Sequence, residues 1–337
     1  MAADYIEKLK GFPKTNDFFV GIDSDGCAFD TMEVKHKFCF VVGVLRAFDL
    51  AALARILRDV WDYVNLYSQS RGCNRWLALR DTFKYLDELT PYQRFKPFLG
   101  AHLKVVDQFI RAADEQADIT LSNTGLVAFA LSKLSSEAAK TTVRCIVAEP
   151  LAVADSAMGE QITSAGTDPE SCLLRLVLWT HLVNGLVART VRDVPPFEFV
   201  TQSLKKLTGK ADVMVVSATP NEALQREWEE HDIAQYAKMI CGQELGSKKE
   251  HIQYGAADKY QSHKMLMVGD APGDMKAAKA NNALFFPVNP GDETASWQRL
   301  YQEAAGKFLA GEYAGDYEAR LVEEFLAHLP SRPPWKK

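Results

Sequence analysis

Apolar and polar positions follow two different rhythms along this chain. Apolar residues recur every three or four positions over Phe38–Phe48, Ala51–Asn65, Asn74–Glu88, Leu99–Glu115, Leu126–Leu134 and Leu173–Thr190. That spacing predicts helices with one buried face. Breaks fall at Arg71-Gly72, Thr90-Pro91, Ser122–Gly125 and the Ser/Thr/Gly-rich stretch Gly159–Pro169. No β-type run of comparable strength interrupts residues 33–189, so this region predicts a mainly helical domain. Outside it the pattern changes. Phe18–Asp23 is a continuous apolar run ending in a carboxylate, and beyond Pro195-Pro196 short runs of the same kind alternate with helical ones. Strands are expected at Asp212–Ser217, Lys238–Cys241, Lys264–Gly269 and Ala283–Val288, with helices at Asn221–Glu230, Lys248–Tyr254 and Met275–Ala280. Alternation at this spacing predicts βαβ crossovers and an α/β fold with a doubly wound parallel sheet. The sheet domain would comprise residues 1–32 and 190–337, with 33–189 inserted. Tyr5–Leu9 predicts a short helix. The tail, Thr294–Leu329, predicts a helical extension of the core through Trp297, Leu300, Tyr301, Phe308, Tyr313, Tyr317, Leu321, Phe325 and Leu329, and this apolar set hints at a homo-oligomer.

Composition narrows the possibilities. Among 337 residues, 39 Lys+Arg face 44 Asp+Glu for a net charge of -5, and no Lys/Arg run exceeds two residues, the short Lys336-Lys337 end included. Nucleic-acid binding therefore has no electrostatic footprint. The six cysteines are scattered without a Cys-x-x-Cys pair, which predicts reduced, buried thiols and neither a disulfide frame nor a zinc site. Met1–Lys14 lacks the apolar core of a signal peptide. Phe38–Leu45 is short for a membrane span, and Leu173–Val191 carries Arg175, His181, Asn184 and Arg189. No membrane association is expected, and the expected compartment is the cytoplasm.

The candidate chemistry sits where strands end. Asp23 and Asp25 close the first apolar run, and Gly26 lets the backbone turn away. Carboxylates two apart on an extended chain project to the same side, where mutual repulsion calls for a divalent cation and an anionic ligand. A calcium loop would want further alternating oxygen ligands, which Cys27 and Phe29 do not supply. The second run ends in Ser217-Ala218-Thr219-Pro220-Asn221, a hydroxyl and amides at a helix entrance suited to phosphate oxygens. Lys248-Lys249 opens a helix after Gly246-Ser247, and Lys248, nearer that turn, is preferred over Lys249. Met265–Val268 runs into Gly269-Asp270-Ala271-Pro272-Gly273-Asp274, placing two more carboxylates four apart.

In this order the four stretches resemble the haloacid dehalogenase (HAD) superfamily: DSDG at Asp23–Gly26, SAT at Ser217–Thr219, a lysine at Lys248 and GDAPGD at Gly269–Asp274. The resemblance covers roughly residues 15–32 and 195–290. It implies a Rossmann-like core in which Asp23 is the nucleophile and forms an aspartyl phosphate, while Asp25 is general acid and then general base. It implies Mg2+ held by Asp23, the backbone carbonyl of Asp25 and Asp270, with Asp274 supporting. Ser217, the Ala218 amide and Lys248 would hold phosphoryl oxygens, with Asn221 as a further substrate contact. Asp25 separates the chain from dehalogenases, which resemble it but lack the second aspartate. Phe29-Asp30-Thr31 fits members with a cap inserted after the first motif, including β-phosphoglucomutase and many sugar and glycolate phosphatases; Cys27 departs from the usual threonine or valine. The helical insert would then be that cap, larger than the usual four helices. Within it, Arg71 and Arg75 flank Gly72 and could clamp a second anionic group of a substrate, and His36 stands near the hinge. The expected activity is a Mg2+-dependent phosphatase acting on a small phosphorylated metabolite. A phosphomutase, or a non-catalytic binding protein on the same core, stays open. Pro220, where mutase-like members carry lysine, leans away from the mutase.

Overall fold

The structure, a computed structural model, describes residues 2–336. Five strands form one all-parallel sheet: β1 (Phe18–Ile22), β2 (Ala211–Val216), β3 (Met239–Cys241), β4 (Met265–Gly269) and β5 (Leu284–Pro287), in the order β3-β2-β1-β4-β5. This is the doubly wound sheet that the strand–helix alternation predicts, each strand within one or two residues of expectation.

Successive side chains on a strand point to opposite faces, and both faces here are covered. Val20, Ile22, Val213, Val215, Leu266, Val268 and Phe286 enter one apolar cluster with Leu204, Trp228, Trp297 and Phe308. Phe19, Met214, Val216, Met265, Met267 and Phe285 enter the other, with Leu9, Ile252, Ala278 and Phe325. The near-unbroken apolar runs in the sequence are thus strands buried twice over. The tail covers the open edge of β5 as an extension of the core: Glu318 Oε1 accepts from the Phe285 amide at 2.8 Å, and the Tyr313 hydroxyl donates to the Phe285 carbonyl at 2.7 Å. Side chains thereby satisfy backbone groups that would otherwise template another strand.

The chain divides into two compact units. The α/β unit comprises Met1–Met32, Tyr67–Gly72 and Arg192–Lys337; the helical unit comprises Glu33–Leu66 and Cys73–Val191. Tyr67–Gly72 therefore returns to the α/β unit from between two helices of the other.

In the helical unit the expected helices appear, several longer than their apolar patterns. Phe95–Glu115 and Pro169–Thr190 each begin about a turn early, the latter capped by Asp168, which accepts from the Ser171 amide at 3.0 Å. Helices Glu137–Ala148, Pro150–Ala154 and Ala157–Ser164 have no counterpart in the sequence reading. The last of them corrects the expected break at Gly159–Pro169. Ser156 caps it, and Gly159 lies where a Cβ would come within 2.4 Å of the Val153 carbonyl oxygen, so the glycine serves close packing and not a turn. Pro169–Thr190 is long and apolar enough to cross a membrane by length and composition, which the sequence reading denied it, yet 56% of its apolar window is buried inside the protein. It is the core helix of its unit. Its Arg175 is buried and donates to the carbonyls of Thr163 and Gly166, both at 3.0 Å, closing the end of the helix before it.

A single carboxylate pins the lead-in to β1. Asp212, fully buried at the start of β2, accepts from the amides of Thr15 (2.8 Å) and Asn16 (2.9 Å), from Asn16 Nδ2 (2.7 Å) and from the Tyr260 hydroxyl (2.6 Å), and pairs with Lys238. Burial alone would raise its pKa, but Lys238, Tyr260 and the Asn16 and Thr15 amides outweigh it and hold the carboxyl well below the usual range. Asp212→Asn should cost about 2–4 kcal/mol at neutral pH by urea denaturation. Because the folded pKa is depressed, the stabilisation is complete above the unfolded value of ~3.9 and fades as pH falls below it, so the gap between wild type and variant should narrow under acid.

Candidate active site

β1 is the central strand, so its end lies between the ends of β2 and β4. The Asp23 amide extends the β1–β4 ladder by donating to the Val268 carbonyl at 3.0 Å. The chain then turns at once: the Ala28 amide donates back to the Ser24 carbonyl at 2.9 Å, and the Gly26 amide to the Phe29 carbonyl at 2.8 Å. Gly26 has φ +73°, and a Cβ there would stand 2.6 Å from Arg71 Nη2 and 2.7 Å from Asp270 Oδ2. The turn therefore needs glycine both for its conformation and for the space. Trp228 Nε1 donates to Ser24 Oγ at 3.0 Å and Trp297 Nε1 to the Cys27 carbonyl at 2.7 Å, fixing the loop from beneath.

Three carboxylates meet at these strand ends. Asp23, Asp270 and Asp274 are all buried and offer oxygens within 4.8 Å of one another. Asp274 is held by its own turn, Oδ2 accepting from the amides of Asp270 (3.1 Å) and Ala271 (3.0 Å). Lys248 bridges two of the three carboxylates, donating to Asp23 Oδ2 and Asp274 Oδ1, each at 2.6 Å. Ser247 caps its helix reciprocally with Glu250, which fixes Lys248 at the first helical position. Lys249 is exposed. Of the two lysines, Lys248 alone is thus seen to reach the carboxylates.

Arg71, from the segment Tyr67–Gly72, donates through Nε to Asp270 Oδ2 at 2.7 Å, and its Nη2 lies 2.7 Å from the same oxygen. Asp270 Oδ1 is buried and, among the described residues, has no hydrogen-bond partner.

Asp25 stands apart from this trio. Its carboxylate accepts from the hydroxyls of Thr31 (2.5 Å) and Thr219 (2.7 Å). Ser217 is buried at the end of β2, its amide donating to the Cys241 carbonyl at 2.9 Å and its Oγ accepting from the Thr219 amide at 3.2 Å. Ala218 is exposed on the loop that follows. Asn221 is engaged by its own neighbourhood, its Oδ1 accepting from the Gly242 amide at 3.0 Å and its amide donating to Glu244 Oε2 at 2.8 Å. Arg75 belongs to the helical unit, where Nη1 donates to Thr180 Oγ1 and Asn184 Oδ1, each at 3.0 Å, and the guanidinium lies over the Phe40 ring. His36, in the same unit, accepts from Trp61 Nε1 at 3.0 Å and stacks on Phe40. The sequence reading gave Thr31 and Thr219 no role of their own; a hydroxyl near a candidate acid was the available signal.

The electrostatics follow from burial. It pushes Asp23 well above the usual carboxylate range; Lys248 opposes this, and Asp274 and Asp270 add to it. Asp270 is pushed up to about 6 by burial despite Arg71. For Lys248 burial works downward, but Asp23 and Asp274 prevail and hold the ammonium above its ordinary pKa. Hard oxygen ligands, one of them a buried carboxylate oxygen without a partner, fit a magnesium ion.

An open parallel sheet carrying an acidic cluster at the carboxyl ends of its central strands defines a doubly wound α/β protein, a class in which ligands bind at that edge. Residues 167–288 match the family of haloacid dehalogenase-like hydrolases, a span that includes Ser217, Lys248, Asp270 and Asp274 and leaves out Asp23 and Asp25. With the parallel sheet and the strand-end carboxylates, this match supports a haloacid dehalogenase-like core for the α/β unit. No curated protein matches the chain. Similar solved structures include a candidate phosphoglycolate phosphatase from Lactobacillus delbrueckii subsp. bulgaricus, at 13% identity over 89% of this chain and 100% of its own, with TM-score 0.41. Another is a structural-genomics target, at 14% identity over 92% of this chain and 100% of its own, with TM-score 0.31. Superpositions this loose say nothing of substrate.

Gly26→Ala should unseat the Arg71–Asp270 pair and strain a left-handed turn together. The expected cost is about 2–4 kcal/mol by chemical denaturation, well above that of an ordinary loop Gly→Ala change.

Proposed function

We propose that the protein is a Mg2+-dependent phosphatase that hydrolyses a small phosphate monoester through a phosphorylated Asp23. The observation that carries this reading is the buried trio Asp23, Asp270 and Asp274, with one carboxylate oxygen unpartnered, beside a lysine and one strand from a buried serine. Magnesium bound by Asp23, Asp270 and the backbone carbonyl of Asp25, with Asp274 in support, would neutralise the carboxylates and draw charge from the phosphoryl group.

The chain's own groups then carry the steps. An Asp23 carboxylate oxygen attacks phosphorus while the bond to the ester oxygen breaks. Asp25 gives its proton to that leaving oxygen. Asp25, now a carboxylate, takes a proton from water, whose oxygen attacks phosphorus and releases phosphate and the free Asp23 carboxylate. The Thr31 and Thr219 hydroxyls orient Asp25 and can rotate to follow its protonation. Ser217, the Ala218 amide and Lys248 hold phosphoryl oxygens as charge spreads. Asn221 serves the loop before the substrate, given its bonds to Gly242 and Glu244. The helical unit, as the cap, supplies substrate selection. The six unpaired cysteines fit a cytoplasmic setting.

A panel of small phosphomonoesters, with an aryl phosphate as generic probe, tests the reading through phosphate release. Turnover should require Mg2+, stop with EDTA, and fall by roughly a thousandfold or more in Asp23→Asn. Transfer of the phosphoryl group between sugar hydroxyls under a bisphosphate activator, with no net phosphate released, would make it a phosphomutase. A folded, Mg2+-supplied protein that turns over nothing in the panel would leave the binding-protein reading standing.

A further inference from the structure

We infer that Arg71 is a built-in counter-ion that occupies Asp270 in competition with a divalent cation, and that cation binding releases its guanidinium to receive an anionic group of the substrate. The inference rests on the metal-dependent reading above and adds to it a regulated step.

The pair has the geometry of an occupant. Both side chains are almost sealed from solvent, at 1% and 2% exposure. Nε and Nη2 both converge on Oδ2, while Oδ1 of the same carboxylate is left buried without a partner. A fork built to hold a carboxylate permanently would take one oxygen with each nitrogen. Here the guanidinium is wedged beside Gly26 and satisfies half of Asp270. It arrives on a short segment of its own. The Arg71 amide closes a turn onto the Ser68 carbonyl at 3.0 Å, and Gly72, at φ +73°, brings the backbone so near the strand-end loop that a Cβ would stand 3.0 Å from the Ala271 Cβ. This segment contributes Arg71 to the cluster and is joined to the helical unit at both ends.

Charge makes the two occupants antagonists. Asp23, Asp270 and Asp274 bring three negative charges, and Lys248 and Arg71 return two. A dication added to both would leave an excess of positive charge in a buried site. With metal–oxygen bonds of ~2 Å, a magnesium on Asp270 would lie within about 5 Å of the guanidinium. Removing either cation strengthens the hold of the other, and the coupling is reciprocal. Once displaced, Arg71 still has Glu293 near enough for its charge to be felt, and its planar fork suits a second carboxylate or phosphate on the substrate.

Titration calorimetry with MgCl2 on the full-length wild type, Arg71→Met and Arg71→Lys tests this without turnover. Arg71→Met should bind Mg2+ at least tenfold more tightly than wild type, and Arg71→Lys, which keeps the charge, should stay nearer wild type. Because Arg71→Met could fold poorly, a second measurement uses the native chain. Its arginine Nε–H spectrum should contain one resonance absent from Arg71→Lys, and saturating Mg2+ should shift it. Equal or weaker Mg2+ affinity in Arg71→Met, or a resonance unmoved by Mg2+, overturns the competition while leaving the phosphatase reading intact. Absence of Mg2+ binding in all three folded proteins overturns both.

Discussion

Three carboxylates buried within 4.8 Å of one another are the constraint around which the α/β unit is arranged. At that separation each pair repels by roughly 3 kcal/mol even at an effective dielectric of 20. Such a cluster stays ionised in a folded core only if positive charge is brought to it. Lys248 reaches it from a capped helix and Arg71 from a segment far away in sequence. Much of the local architecture can be read as the means of delivery: a glycine that leaves room for the guanidinium, a capping box that sets the lysine, and a turn that clamps Asp274 with two amides.

The sheet makes the cluster possible because parallel strands end together. β1 lies between β2 and β4, so residues from 23, 217 and 270 fall along one edge although nearly two hundred positions separate the first two. Burial on both faces fixes the register, since a shift of one residue would exchange the two apolar clusters. The same burial leaves no water to screen the carboxylates. Stability of the core and the electrostatic character of its edge therefore share one cause.

That shared cause explains what could be read from the sequence. A doubly buried strand is an unbroken apolar run, and a polar residue that stops it is conspicuous; Asp23, Ser217 and Asp270 stand out for that reason. Lys248 was legible because Gly246-Ser247 marks a helix start. Groups whose partners are remote were harder. Arg71 drew notice only as one of two arginines around a glycine, and nothing local says that it meets Asp270 whereas Arg75 meets Thr180 and Asn184. Asn221 looked like a phosphate contact because it opens a helix, but its side chain holds the loop after β3. The helix at 157–164 escaped because it is short, caps with serine and includes a glycine packed close, features that also describe loops.

The Arg71–Asp270 pair bears on why such a contact exists at all. Taking two charges out of water costs several kcal/mol apiece, and apolar residues of equal volume would commonly be as stable. Stability alone is then a weak reason for an arginine at this place. A site that must be negative enough to attract a cation, yet must fold before the cation arrives, presents a different demand. Lys248 answers part of it, since its ammonium can stay on Asp23 and Asp274 while a cation takes the remaining oxygens. Asp270 is the carboxylate whose free oxygen points to further occupancy, and its present partner is the one carried by a separate segment of chain. On the proposal made for Arg71, a counter-ion on Asp270 that can leave would meet the demand of folding and then free the oxygen it covers.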